Sequence, residues 1–127
     1  MSECLYSLFK LYNKLIVLDV ETTGLDFSID SIIEVAALLV RFDISHLHVI
    51  RYMDTLVKLP EGRGVPSSIS ALTGINDEIL VARGSAPDAV AVALARLLQD
   101  RSALFVGYNV RFDLRFIKEL LQREKQN

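Results

Sequence analysis

Two hydrophobic rhythms alternate along this chain. Leu15-Ile16-Val17-Leu18-Asp19-Val20-Glu21 and Ile32-Ile33-Glu34-Val35-Ala36-Ala37 are short, β-branched and aliphatic runs of strand length. They predict strands at about 14–21 and 31–42, and a third at about 49–58. The links between them are short and rich in Gly, Asp and Ser, which predicts an antiparallel three-strand meander. Ala103-Leu104-Phe105-Val106 reads as a further buried strand, at about 103–107.

Between and around these runs the apolar spacing becomes helical. Leu5, Leu8, Phe9 and Tyr12 share one face of a helix over residues 3–12, read as an N-terminal extension spanning residues 1–13 ahead of a single domain at 14–127. Pro60-Glu61-Gly62-Arg63-Gly64-Val65-Pro66 is a loop, because proline and glycine discourage both helix and ladder. Ser67 or Ser68 is expected to cap a short helix that runs through Leu72 and ends at Gly74. After Gly84-Ser85-Ala86-Pro87 a helix should reach about Leu98, with Ser85 as cap and Pro87 in its first turn. Such a crossover places the 103–107 strand parallel to the first strand and beside it. Phe112, Phe116, Leu120 and Leu121 then recur on one face of a last helix, with Ile117 beside them, so both phenylalanines read as core.

Composition narrows the classes. With 51% hydrophobic and 24% charged residues over 127 positions, the chain is globular and large enough for one α/β domain. A net charge of −2 argues against a module that grips duplex nucleic acid through many phosphates, but not against an enzyme that holds only a chain end. The single Cys4 excludes an internal disulfide and fits a reducing compartment. Met1-Ser2-Glu3-Cys4 carries no basic leader, and no apolar run nears the roughly eighteen residues of a membrane span, so a cytoplasmic location with no membrane is expected. His46 and His48 fall in the link Phe42–Val49 and read as solvated; His-x-His on a strand face is also a metal-binding pattern, but no other Cys or His except Cys4 is at hand.

Three acids stand where strands end. On a strand, Asp19 and Glu21 project to the same side, and two converging carboxylates stay ionised only with cations or donors between them. Hard divalent ions such as Mg²⁺ take such oxygen ligands. Two solvated acids at a strand end are the alternative reading. Asp113 follows the 103–107 strand in the first turn of the last helix, where an acid also suits the helix dipole, and Asn109 reads as a loop or cap residue. Glu34 lies within an otherwise apolar strand, where a carboxylate needs a partner, and is expected to brace the neighbouring site.

Taken together, Asp19-Val20-Glu21-Thr22-Thr23-Gly24 and Asn109-Val110-Arg111-Phe112-Asp113 resemble the first two motifs of the DEDD (DnaQ-like) superfamily of 3′-to-5′ exonucleases. The likeness is to the proofreading epsilon subunit of bacterial DNA polymerase III and its relatives. It continues in Ile32-Ile33-Glu34-Val35-Ala36-Ala37 and in Pro66-x-x-Ile69-x-x-Leu72-Thr73-Gly74-Ile75, although Thr73-Gly74 stands where some relatives have His-Gly.

The resemblance implies an RNase H-like mixed sheet, the meander plus a parallel strand, flanked by helices. It implies a metal-dependent hydrolase that releases nucleoside monophosphates from the single-stranded 3′ end of DNA, or of RNA, with a polymerase as a potential partner. Asp19, Glu21 and Asp113 are the implied catalytic residues and ligands of two Mg²⁺ or Mn²⁺ ions. Thr22, Thr23, Gly24, Leu25 and Asn109 are the implied substrate contacts, with ordinary core packing an equal reading for Leu25. The family's third motif, a His followed by a last Asp, has no counterpart in these 127 residues. The expectation is therefore an N-terminal portion of an exonuclease domain with impaired activity, or a noncatalytic remnant acting as an interaction module. The 103–107 strand is expected to be an apolar edge through which the chain self-associates.

Overall fold

A computed structural model describes residues 3–43 and 45–125. The elements in chain order are α1 (Glu3–Leu11), β1 (Lys14–Thr22), β2 (Ile32–Phe42), β3 (Leu47–Leu56), α2 (Ser67–Thr73), α3 (Asp77–Arg83), α4 (Pro87–Leu98), β4 (Leu104–Val106) and α5 (Val110–Arg123). The side chains of Leu5 and Phe9, expected on the apolar face of α1, lie outside the described residues.

The sheet has the order β3-β2-β1-β4. β1 and β3 both flank β2 antiparallel, giving the expected meander. β4 lies parallel to β1, pairing Leu15 with Leu104 and Val17 with Val106. Near the start of this pair the Lys14 ammonium meets Asp100 at 2.6 Å and ties β1 to the link that feeds β4.

Alternation along the strands decides which face is core. Ile16, Leu18 and Val20 of β1 and Val35, Ala37 and Leu39 of β2 point to the side occupied by α4 and α5, where Ala91, Leu94, Phe116 and Ile117 meet them. Leu94 is fully buried, and Phe112 packs on Phe116 in a tilted arrangement with ring centroids 4.8 Å apart, so both phenylalanines belong to this packing. A smaller cluster of Ile33, Ile75 and Leu80, with Leu56 and Ile69 packed against it, joins α2 and α3 to the start of β2 and the end of β3.

The other face of β1 carries Val17, Asp19 and Glu21, in register with Leu38, Ala36 and Glu34 of β2 and then with Tyr52, Asp54 and Leu56 of β3. This face is open, with Val17 and Val106 each 38% exposed and Tyr52 76%. A shallow depression of about 250 Å³ lies on it, lined by Val17, Asp19, Ala36, Leu38, Tyr52 and Asp54 among others.

Several local expectations are corrected. β3 begins at Leu47, so His48 sits on the strand and not in the link, because the hairpin is tightened by Asp43, whose carboxylate accepts from the Ser45 and His46 amides. Neither predicted serine cap forms. Pro66 and Ala86 take the N-cap positions of α2 and α4, and Ser85 is drawn instead into strand-like bonding with Leu56 and Lys58. The seven-residue helix α3 was not anticipated; Asn76 caps it by accepting from the Ile79 amide at 2.8 Å. Gly74 ends α2 as expected, in the left-handed conformation with φ of 77°.

Candidate active site

β4 ends beside Val17, partway along the parallel β1, and the chain leaving it turns straight into α5 alongside the rest of β1. That arrangement brings the first turn of α5 to the end of β1. Asn109 holds the N-cap position without a side-chain capping bond, and Asp113 follows one turn on. The Asp113 side chain is turned inward, with only 4% of the residue exposed.

The predicted acids lie within electrostatic reach of one another. Burial pushes the Asp113 carboxyl up to about 6, and repulsion from Asp19 and then Glu21 adds to it, while the Val20 backbone N–H works the other way. Glu21 is raised too, by burial first and by Asp19 second. The three motif carboxylates thus form one electrostatic cluster, contributed by two separate segments of chain. Glu34, across from Glu21 on β2, extends it. Its carboxyl is raised by burial and by Asp54, with which it shares a hydrogen bond, and then by Glu21 and Asp19. Asp54 was not singled out by the sequence; the alternation Tyr52-Met53-Asp54 on an edge strand was the available signal.

Among the described residues no three His, Cys, Asp or Glu side chains are already drawn close enough to hold one ion. The donor set nevertheless fits a divalent cation. It consists only of carboxylate oxygens, it accumulates negative charge that raises the proton affinity of its own members, and it has space beside it. That space is provided by Gly107. A Cβ there would stand 3.3 Å from Asp113 Oδ2 and 3.0 Å from the Leu18 carbonyl oxygen.

The predicted substrate contacts divide. Thr22 is buried, and its hydroxyl donates to the Gly24 carbonyl at 2.6 Å, so it shapes the turn from within. The Thr23 hydroxyl donates to Asp30 at 3.0 Å and accepts from the Ser31 amide at 3.0 Å. Leu25 is 86% exposed, which removes the core-packing reading. Tyr108, beside Gly107 and Asn109, is likewise fully in solvent. The two histidines are not at the site. His48 pairs with Arg41, which pairs with Lys14 at the opposite end of β1, and both imidazoles lean toward Asp43 at 3.5–3.8 Å.

Comparison with known proteins gives the arrangement a context. The RNase T family model, described as exonuclease, matches residues 16–127. The chain is 33% identical over 103 residues to a PolC-type DNA polymerase III of Thermotoga petrophila, covering 81% of this chain and 7% of that protein. It is 34% identical over 109 residues to the 3′-5′ exonuclease DinG of Staphylococcus epidermidis, covering 84% of this chain and 11% of that protein. The chain therefore spans a small part of the length of the relatives it matches. Among solved structures, E. coli exonuclease I in complex with a dT13 oligonucleotide superposes with a TM-score of 0.78 over 91% of this chain and 25% of that one, at 24% identity. Product-bound exonuclease I gives the same TM-score at 22% identity. These neighbours show that the mixed sheet and its helices form the RNase H-like fold.

Proposed function

This chain belongs to the RNase T exonuclease family, and from that premise we propose that it hydrolyses the terminal phosphodiester at a free 3′ end of single-stranded DNA, releasing nucleoside monophosphates. The observation that carries the reading is the convergence of Asp19, Glu21 and Asp113 from β1 and α5 into one mutually repelling carboxylate cluster. Structural ion-pair networks also perturb carboxylates, but here no cation of the protein is among the causes of the shifts.

Asp19, Glu21 and Asp113 would hold Mg²⁺ or Mn²⁺, and such ions supply charge neutralisation and Lewis acidity toward a phosphodiester. The chain's own contribution is positioning. β1 fixes Asp19 and Glu21 on a rigid strand, and the first turn of α5 carries Asp113 to them. Glu34, opposite Glu21 on β2, and Asp54 on β3 add further negative charge beside the cluster. The turn after Glu21 sets Leu25 out into solvent, where an apolar side chain can pack on a terminal nucleobase. Asn109, at the start of α5, lies at the same end of the sheet and serves as a nucleotide contact.

DNA is preferred over RNA because PolC is a DNA polymerase by name and the exonuclease I neighbour was solved with a DNA oligonucleotide. A cytoplasmic setting and a polymerase partner belong to the same proposal. Release of mononucleotides from 5′-labelled single-stranded DNA in Mn²⁺, measured beside Mn²⁺ titration for the protein and for Asp19→Ala, tests it. Binding and release that both vanish in the variant uphold the reading. Mn²⁺ binding and release that are each indifferent to Asp19→Ala overturn it, and a faster reaction on the matching RNA overturns the substrate assignment.

A further inference from the structure

The turn between β1 and β2 is built more firmly than an exposed loop needs to be, and Asp30 lies at its centre. Asp30 Oδ1 accepts from the Thr23 hydroxyl at 3.0 Å, and Asp30 Oδ2 accepts from the Asp26 backbone N–H at 3.0 Å. Thr23 in turn is bonded to Ser31 through both its hydroxyl and its amide. Gly24 is pressed against this carboxylate so closely that a Cβ on it would collide with the Asp30 side chain. The turn is also held from behind. Arg115 lies 4.6 Å over the Phe27 ring, Arg123 donates to the Phe27 and Ser28 carbonyls, and Arg63 donates to the Ile29 carbonyl.

Against this bracing, Leu25 stands almost wholly in water. An apolar side chain held out by a network of polar bonds stabilises nothing in the free protein. Its fixed presentation makes sense as preorganisation for a ligand, since a residue already held in its bound position loses little freedom on binding.

We propose that Asp30 is the positioning residue of this turn: through Thr23, Gly24 and the Asp26 amide it fixes Leu25 for the 3′-terminal nucleotide. The proposal rests on the exonuclease reading for its ligand, but not for its geometry. Asp30 touches neither the carboxylate cluster nor a reacting atom, so its effect falls on substrate binding and not on the chemical step.

The test combines kinetics of mononucleotide release with amide hydrogen exchange in the free protein. Asp30→Ala should raise KM by roughly tenfold and leave kcat within about twofold, the mark of lost ground-state binding. It should also speed exchange of the Asp26 and Ser31 amides while the β1 and β2 amides stay protected. Asp30→Asn, which keeps one acceptor oxygen of two, should fall between. Gly24→Ala should raise KM alone, yet add little in the Asp30→Ala background, where the obstructing carboxylate is gone. A kcat loss at unchanged KM, or additive effects of the two substitutions, would overturn the proposal. If the wild-type protein releases no nucleotide, exchange alone decides; the exonuclease reading itself fails only if Asp19-dependent Mn²⁺ binding is missing as well. Unchanged Asp26 exchange in Asp30→Ala then refutes the positioning role, and selectively faster exchange upholds it.

Discussion

Gly107 faces Asp113 across a gap in which a methyl group would stand 3.3 Å from the carboxylate and 3.0 Å from the Leu18 carbonyl oxygen. The hinge between β4 and α5 is thus a close approach that seats the acid beside β1. Alanine at this position requires shifts of a few tenths of an ångström. Valine, with two further methyl groups, should displace the first turn of α5, costing about 1–3 kcal/mol of stability. Gly107→Val should therefore weaken Mn²⁺ binding by at least about tenfold, since roughly 1.4 kcal/mol lost from the ligand geometry gives that factor. Isothermal titration with Mn²⁺ checks it, and Gly107→Val binding as tightly as the native protein contradicts it.

Asp113 also predicts how stability depends on pH. Its carboxyl is raised from 3.8 to about 6 in the folded protein, chiefly by burial and then by Asp19 and Glu21. Between those values the folded state holds a proton that the unfolded chain has released. Stability of the metal-free protein should therefore fall as pH rises from about 4 through 6 and level off above, by up to about 2–3 kcal/mol. Asp113→Asn, which keeps the shape without the charge, should melt higher than the native protein at neutral pH and show a shallower slope, the remainder coming from Glu21 and Glu34, whose carboxyls are raised as well. Thermal melts from pH 4 to 8, run in chelator, decide the matter; a native protein equally stable throughout would contradict the assignment.

Metal should reverse that penalty. A cation bound among Asp19, Glu21 and Asp113 stabilises only the folded state, by about 2.7 kcal/mol at a hundredfold excess over Kd. The Mn²⁺-dependent rise in melting temperature should be lost in Asp19→Ala. It should also fade below about pH 5, where Asp113 retains its proton and competes with the ion. A Mn²⁺ shift that persists unchanged in Asp19→Ala would move the ion elsewhere.

β4 is only three residues long and lies at the edge of the sheet, with Val106 and its neighbour Val17 both partly exposed on the open face. An uncovered apolar edge next to an open face invites pairing with another copy. The 127-residue protein should self-associate as its concentration rises, and Val106→Lys should reduce this. Light scattering that shows a monomer at high concentration would argue against the edge as a contact.

The strands were legible because burial on one face stamps a period of two on the chain, α4 because it is a run rich in Ala, Val and Leu after Pro87, and α5 because Phe112, Phe116 and Leu120 recur at helical spacing. That Asp113 belongs with Asp19 was legible through the motif resemblance, and the crossover that sets β4 beside β1 is what brings the two within electrostatic reach. What escaped was set by contacts with no sequence period. Ser67 and Ser85 look like caps in isolation, but Pro66 holds the cap position of α2, and Ala86 that of α4, where Ser85 bonds instead to Leu56 and Lys58. The grip of Asp30 on Thr23 and Gly24 joins loop residues whose spacing announces nothing. Leu25, an apolar residue in a turn, was equally compatible with core and solvent until the fold placed it.

That placement makes Leu25 a discriminating substitution. A side chain 86% exposed contributes little to folding, so Leu25→Ala should change stability by no more than about 0.5 kcal/mol, a shift of a few degrees at most. The same truncation removes the apolar surface on which a terminal base would stack, and a base–side-chain contact of this kind is worth about 1–3 kcal/mol. KM for single-stranded DNA should therefore rise by roughly five- to a hundredfold while kcat and the Mn²⁺-dependent melting shift stay put. Steady-state kinetics beside thermal melts separate the effects. A Leu25→Ala protein with lowered stability would return Leu25 to the core, and one with native KM would take it out of the substrate site.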